Sequence, residues 1–291
     1  MKNRGRLFQI ERPRLIALLI SAVISAVIVI VLSRMYVNSS LPLSSTFLCS
    51  NSGKYFTPEA AEYATTPTQL LAILHYATSN IVPQQSINEI RVSFEVLKSL
   101  APCNFLVFGL GFDSLMWASL NPGGTTLFLE EDPKWVQTIV GKTPILQAHS
   151  VQYRTQLSEA DKLLASYKSE PDCLPANARV SKNSRCRLVL SELPDEVYER
   201  EWDLIMIDAP RGYFPEAPGR MAAIFSAAVM ARDRKGQGVT HVFLHDVNRK
   251  VEKMFAEEFL CRKYLVKAVG RLWHFVIPPV AIEDRNTSTF C

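Results

Sequence analysis

The amino-acid sequence predicts an α/β domain built on a doubly wound, mostly parallel sheet and preceded by a single membrane-spanning helix. Three observations lead there. From Asn104 onward, apolar runs of strand length alternate with helix-forming stretches. The first of these runs, "NFLVFG", ends in Gly109-Leu110-Gly111, with Asp113 two positions on. Residues 15–32, "LIALLISAVISAVIVIVL", carry no charge over 18 positions, a helix of about 27 Å, long enough for the thinner membranes of the early secretory pathway.

The N-terminal segment sets the topology. Lys2, Arg4, Arg6, Arg12 and Arg14 precede the apolar run; after Arg34 the next charge is Lys54. The positive-inside rule leaves residues 1–14 in the cytosol and everything beyond the span in the lumen. A cleaved signal peptide would have an apolar region of ~7–15 residues ending in a small-x-small site; this run is longer and ends "VLSRM". The sequence therefore divides into a cytosolic tail (1–14), an anchor (15–33), a Ser-rich stem (34–56) and a lumenal domain (57–291). The formal net charge of +4 belongs to this tail: residues 1–34 hold six Lys/Arg and one Glu, the rest 26 basic and 27 acidic side chains. Such a distribution gives the domain no basic face and argues against nucleic acid as a partner.

A lumenal domain favours disulfides over zinc for its six cysteines, and no CxxC or Cys/His cluster argues otherwise. Cys173 and Cys186 flank a Pro/Asn/Ser-rich loop and are expected to pair. The sequence assigns no partner to Cys49, Cys103, Cys261 or Cys291. Asn38 and Asn286 begin N-x-S/T sequons.

Two helices should precede the sheet. Thr66-Pro67 is a cap followed by a first-turn proline. Ser86 and Glu89 have capping-box spacing, with Ile87, Ile90, Phe94 and Leu97 following at helical intervals. Strands are then expected at "NFLVFG", "TTLFLEE", "HSVQYR", "WDLIMIDA" and "THVFLHDV", several of them continuously apolar, as strands covered on both faces are. Helices fall between them at 114–120, 133–140, 156–168 and 218–232, and a last one at 248–261. "RLWHFVI" reads as an edge strand and 169–198 as an irregular insertion.

In a doubly wound sheet, ligands bind beyond the carboxyl ends of the strands. The polar residues expected there are Gly109, Gly111 and Asp113; Glu130, Glu131 and Asp132; Asp208; and His245 and Asp246. Glu130 stands 19 residues past Gly111, where an acid can hold both hydroxyls of an adenosine ribose. Ser114 occupies the third-glycine position of a dinucleotide fingerprint, and Asp113 stands just before it. An anion at that helix start repels a pyrophosphate but suits the ammonium of S-adenosylmethionine. The residues thus favour the methyl donor over a dinucleotide.

At this point the sequence resembles a family. "FLVFGLGFDSLMWASLNPGGTTLFLEEDPKW", "WDLIMIDAPRGYFPEAPGRMAAIFSAAVMAR" and "THVFLHDVNRKVEKMFAEEFLCRKY" are similar to the plant glucuronoxylan 4-O-methyltransferases of the Golgi, from about Cys103 to Pro278. Phe112 departs from the family's "GLGHDS". The resemblance implies a Rossmann-like class I methyltransferase sheet and a single-pass type II Golgi membrane protein with a lumenal catalytic domain. It also implies methyl transfer from S-adenosylmethionine to O4 of glucuronic acid on glucuronoxylan during secondary cell wall synthesis. Two other readings stay open: glucuronic acid on another glycan such as arabinogalactan, or a non-catalytic Golgi protein of xylan synthesis, like the related irregular-xylem branch.

For the chemistry, a neutral sugar hydroxyl needs help losing its proton. Asp208, His245 and Asp246 are the expected catalytic unit: His245 acts as a base beside an aspartate, or Asp208 and Asp246 hold a divalent cation. An acidic acceptor should meet arginine. The loop "APRGYFPEAPGRM" supplies Arg211 and Arg220, with Tyr213 and Phe214 as flat surfaces for sugar rings. Trp117, Trp135, Trp202 and Trp273 are expected to pack against the sheet rather than line the cleft.

Overall fold

The computed structural model describes residues 66–281 and 287–291, which belong to one compact unit running from Glu62 to Cys291. The tail, anchor and stem, Cys49 and both sequon asparagines lie outside the described residues. Among the described residues no helix is long and apolar enough to cross a membrane.

Both expected caps form. Helix α1 (Pro67–Thr78) starts at a capping box of Thr66 with Gln69, and α2 (Ile87–Leu100) at one of Ser86 with Glu89. Each box satisfies two of the amide groups that a helix start leaves without partners. The sheet then builds from β1 (Asn104–Phe108), β2 (Thr125–Glu130), β3 (Gln147–Ser150), β4 (Leu204–Ile207), β5 (Thr240–Leu244), β6 (Leu265–Val269) and β7 (Leu272–Ile277). Their order is β3-β2-β1-β4-β5-β7-β6. The first five are parallel; β7 runs antiparallel to β5 and to β6. Between them stand α3 (Ser114–Ser119), α4 (Pro133–Lys142), α5 (Ala160–Ser166), α6 (Asp195–Tyr198), α7 (Met221–Asp233) and α8 (Lys250–Phe255), which runs on as a π-helical turn, Ala256–Cys261.

The mixed α/β sheet of the sequence prediction is therefore present, with three corrections. The third strand is Gln147–Ser150 rather than 149–154; only four residues pair with β2 before the chain turns away. "RLWHFVI" is not an edge: β7 lies inside the sheet, and the edge is β6, "LVKAV", whose middle is exposed. The helix expected at 156–168 is three short pieces, with α5 between two 3₁₀ turns.

Alternate residues of the central strands feed two cores. Leu106, Phe108, Leu127, Leu129, Ile205, Ile207, Val242 and Leu244 face the side of α7 and α8. Phe105, Val107, Phe128, Leu204, Met206 and Phe243 face the side of α1, α2 and α3. Burial on both faces is why these strands read as unbroken apolar runs. The first core extends under residues 173–193, where Cys173 pairs with Cys186 as expected. There Arg154 binds the carbonyls of Ser184, Cys186 and Val189. Cys261 pairs with Cys291, and Phe290 packs on Phe225 and Phe259. Cys103 is a buried free thiol.

Across β5 and β7, His241 Nδ1 and His274 Nε2 lie 2.9 Å apart, and His274 stacks on Phe243 at 4.4 Å. Burial, with the charges of His241 and Lys267, pulls His274 from its ordinary 6.5 down to about 4. A histidine with a depressed folded pKa stabilises fully above the unfolded value and loses that contribution as pH falls through the folded one. The His274 contribution should fade between pH 6.5 and 4, by about 3 kcal/mol at most. Denaturant titrations at pH 7, 5 and 4 should show a steeper loss in the wild type than in His274→Phe; parallel losses would refute this.

Candidate active site

The chain order reverses between β1 and β4, and a cleft of ≈ 440 Å³ opens at that point, beyond the carboxyl ends of β1, β2 and β4. Its walls include Gly109, Gly111, Asp113, Glu130, Asp208, Arg211, Tyr213, Arg220 and Asp246. The topology thus brings nearly all of the residues expected from the sequence to one place. His245, with no exposed surface, and Phe214, exposed beside Tyr213, are not part of the lining.

The two glycines do different work. Gly109 has φ +124, and a Cβ on it would stand 3.1 Å from that of Ala209. It is glycine for its backbone and for the close approach of the chain leaving β4. Gly111 is close to one group only: a Cβ there would crowd the Asp113 carboxylate, at 3.1 Å. Its missing side chain leaves space beside that carboxylate. Ser114 Oγ closes the loop by accepting from the Gly111 amide at 2.9 Å, and Trp117 Nε1 donates to Asp113 Oδ2 at 2.8 Å. Burial, reinforced by the Asp208 charge, raises the Asp113 carboxyl above its ordinary value, and the Trp117 bond only partly opposes this. A cation docking there would reverse the shift.

Glu130 ends β2 nearly buried. Its Oε2 accepts from the Leu110 amide at 3.0 Å and its Oε1 from the Asp132 amide at 3.1 Å. Each oxygen keeps acceptor capacity for one more donor, so a ribose diol fits this carboxylate. Glu131 is spent on structure, accepting from the backbone amide and Nε of Arg211. Trp135 corrects the sequence expectation: its Nε1 donates to Leu110 O at 2.6 Å, and the ring lines the cleft with Phe112. Its place in the first turn of α4, just past Glu130, was the available signal. Trp117 and Trp202 are buried, as expected.

At the ends of β4 and β5 the expected trio is assembled, but differently from expectation. His245 Nδ1 lies 2.8 Å from Asp208 Oδ1, behind the cleft, and its buried Nε2 has no hydrogen-bond partner. The nearest acid to it is Glu89, at 3.8 Å. His245 has no exposed surface and is not part of the cleft lining; Asp208, with its side chain 23% exposed, is. Burial pushes the Asp208 carboxyl up, but His245, Arg220 and Gln85 together hold it below its ordinary value. Asp246 adopts φ +60 and is surrounded by guanidinium groups: Arg220 at 2.9 Å, Arg249 at 2.9 Å and Arg271 at 2.8 Å. Both of its oxygens are engaged by guanidinium groups, which ties this carboxylate into the cluster.

The trio's ligand atoms lie within 4.8 Å of one another. Yet Arg220 Nη2 bonds both carboxylates, Asp208 at 3.3 Å and Asp246 at 2.9 Å. A guanidinium already stands between the two acids, and a divalent cation does not fit that arrangement. Arg220 also donates to the carbonyls of Pro210, His245 and Asp208. It is a structural cation here, and the expectation that it meets an acidic acceptor is corrected.

Three elements hold the 211–220 loop. Glu131 binds Arg211, Gly219 N donates to Arg211 O, and Leu157 N and Ser158 N donate to Ala217 O and Pro215 O. The loop presents Arg211, with Tyr213 and Phe214 exposed and edge-to-face at 5.1 Å. Arg249 lines the cleft beside it, with its side chain 31% exposed. Arg249, Arg271, Gln85 and Glu89 were missed as site residues. The first three carry no local motif; Glu89 announced itself only as a helix cap.

A model of the family described as IRX15/IRX15L/GXM matches residues 88–275. Arabinogalactan O-methyltransferase 1 of Arabidopsis thaliana is 64% identical over 250 residues, covering 84% of this chain and 86% of that protein. Arabinogalactan O-methyltransferase 2 of the same plant is 58% identical over 284 residues, covering 97% and 96%. Glucuronoxylan 4-O-methyltransferase 1, also from Arabidopsis thaliana, is 50% identical over 222 residues, covering 76% and 78%.

Replacing Asp246 by Asn leaves three guanidinium groups around a neutral side chain. Removing one partner of a buried ion network costs about 3–5 kcal/mol, less here because Arg249 and Arg271 are partly exposed. Asp246→Asn should lower unfolding stability by about 2–3 kcal/mol, while Lys250→Ala, at an exposed pair, should change it by less than about 1 kcal/mol. Equal effects in denaturant titrations would show that the cluster is not a structural centre.

Proposed function

This chain belongs to the IRX15/IRX15L/GXM family, and from that premise we propose that it is an S-adenosylmethionine-dependent O-methyltransferase of a plant polysaccharide. We take glucuronic acid on arabinogalactan as its acceptor. The observation that carries the class is the gathering of Gly111, Asp113, Glu130 and Asp208 around one cleft, in a chain so similar to methyltransferases. The sequence motifs pointed first to glucuronoxylan. The relatives reverse that order: 64% and 58% identity to arabinogalactan O-methyltransferases against 50% to a glucuronoxylan one.

Bound S-adenosylmethionine supplies a methyl group already activated on sulfur. Glu130 takes the ribose hydroxyls, Asp113 the ammonium, and Trp135 with Phe112 makes an aromatic wall on the Glu130 side. Asp208 accepts the hydrogen bond of the reacting hydroxyl and holds its oxygen in line. The hydroxyl oxygen becomes strongly acidic as the new bond forms, so a carboxylate with a low pKa is base enough to take the proton. His245 and Arg220 orient Asp208 from behind. Arg211 and Arg249 provide positive charge for the sugar carboxylate, and Tyr213 with Phe214 a surface for its ring.

We also propose the compartment. The basic tail, the apolar run at 15–32 and the two disulfides support a type II protein of the Golgi membrane with its domain in an oxidising lumen.

Two measurements test this reading. Glu130→Ala should weaken S-adenosylmethionine binding in calorimetry by roughly 5- to 150-fold. Asp208→Asn should lower kcat by ~10²–10⁴ with donor affinity retained. A folded wild type that binds no donor would overturn the class. Labelled S-adenosylmethionine offered with arabinogalactan and with glucuronoxylan, and products read by NMR, decides the acceptor; methylation of glucuronoxylan alone would restore the sequence's first expectation.

A further inference from the structure

Gln85 is a cleft residue that neither the motifs nor the reaction so far has used. It is 4% exposed and lies in the segment Val82–Gln85, which forms one wall of the cleft. Its backbone is fixed on both sides: Arg271 Nη2 binds Gln84 O at 2.8 Å, and Ser86 caps α2. Its Nε2 donates to Asp208 Oδ2 at 3.0 Å. A carboxylate can only accept, so this bond fixes which end of the amide is nitrogen. The remaining atom, Oε1, is a buried acceptor with no hydrogen-bond partner. An unmade bond at a buried carbonyl is costly, and this one belongs to a side chain that lines the site beside the proposed proton acceptor.

We propose that Gln85 binds ligand directly, its Oε1 accepting a hydrogen bond from an O–H or N–H donor of the bound substrates. This rests on the methyltransferase reading. Two sources offer that chemistry: a hydroxyl of the acceptor sugar next to the reacting one, and the ammonium of the methyl donor. In either case Gln85 and Asp208 act as a pair, one oxygen taking the reacting hydroxyl and the other a neighbouring donor. Such a pair fixes position as well as proximity: with the sugar hydroxyl Gln85 is a specificity residue for the site of methylation, and with the ammonium it positions the methyl donor.

The experiment is calorimetry of S-adenosylmethionine and of a glucuronic-acid oligosaccharide with wild type, Gln85→Met, Asp208→Asn and the double variant. Met keeps the length and removes both polar atoms. Loss of a neutral hydrogen bond weakens affinity by about 2- to 13-fold, and loss of one to an ammonium by about 13- to 150-fold. A weakened oligosaccharide identifies the hydroxyl, a weakened S-adenosylmethionine the ammonium, and either supports the proposal if it persists in the Asp208→Asn background. An effect that vanishes there means that Gln85 acts only by holding Asp208, and overturns it. Unchanged affinities for both ligands overturn it as well. Should Gln85→Met fold poorly by circular dichroism, Gln85→Leu, which also removes both polar atoms, takes its place and is read by the same outcomes. Wild type that binds neither ligand would overturn the functional reading itself, a result separable from every variant comparison.

Discussion

The structure of the site depends on one buried guanidinium. Arg220 reaches from the residue before α7 to the carbonyls ending β4 and β5 and to the carboxylates of Asp208 and Asp246. Parallel strands expose their last carbonyls at this edge, and each needs a donor. Arg220 supplies several donors in a planar fork, so one side chain satisfies the strand ends, orients Asp208 and bridges two acids. Buried ion pairs of this kind contribute more to a single geometry than to net stability. Here that geometry keeps one carboxylate facing the cleft with its charge intact.

The same economy operates on the other wall. Glu89 closes a capping box with Ser86 at the start of α2. It also accepts from the Arg271 amide at 2.6 Å, in the turn between β6 and β7, and lies 3.8 Å from His245 Nε2. The antiparallel end of the sheet is thereby tied to the helix start that carries Gln85, and both to the Asp208 pair. Arg271 completes the tie, binding Asp246 and Gln84 O. Three segments far apart in the chain share one polar cluster, and its members orient one another.

The donor and acceptor sides of the cleft differ in what they can reveal. The donor roles proposed for Glu130, Asp113 and Gly111 concern a ligand shared by many methyltransferases. The acceptor side, with Arg211, Arg249, Tyr213 and Phe214, is a charged and aromatic surface suited to an acidic sugar of any polymer. Geometry alone therefore supports the reaction class, and the preference for arabinogalactan over glucuronoxylan draws on similarity to relatives.

What the sequence determined by itself were the features whose cause is local or periodic. Unbroken apolar runs marked β1, β2, β4 and β5 because both faces are buried. Ser86 with Glu89, and Thr66 before Pro67, marked helix starts because caps act over three residues. Cys173 and Cys186 bracketed their own loop. Gly109, Gly111 and Glu130 marked the end of the sheet where the cleft opens, since strand ends set their spacing. Tertiary structure decided the rest. "RLWHFVI" looked like an edge because nothing in it says that "LVKAV" will pair outside it. Cys261 finds Cys291 only once the tail packs through Phe290. His245 read as a base because its type and position allow it; its burial follows from α2 and the β6–β7 turn closing over it. Arg220 read as a substrate ligand because the loop in which it sits is polar, yet the acids it binds end strands brought beside it by the fold. Contacts across the sheet depend on which strands become neighbours, and a linear pattern of polarity carries no record of that choice.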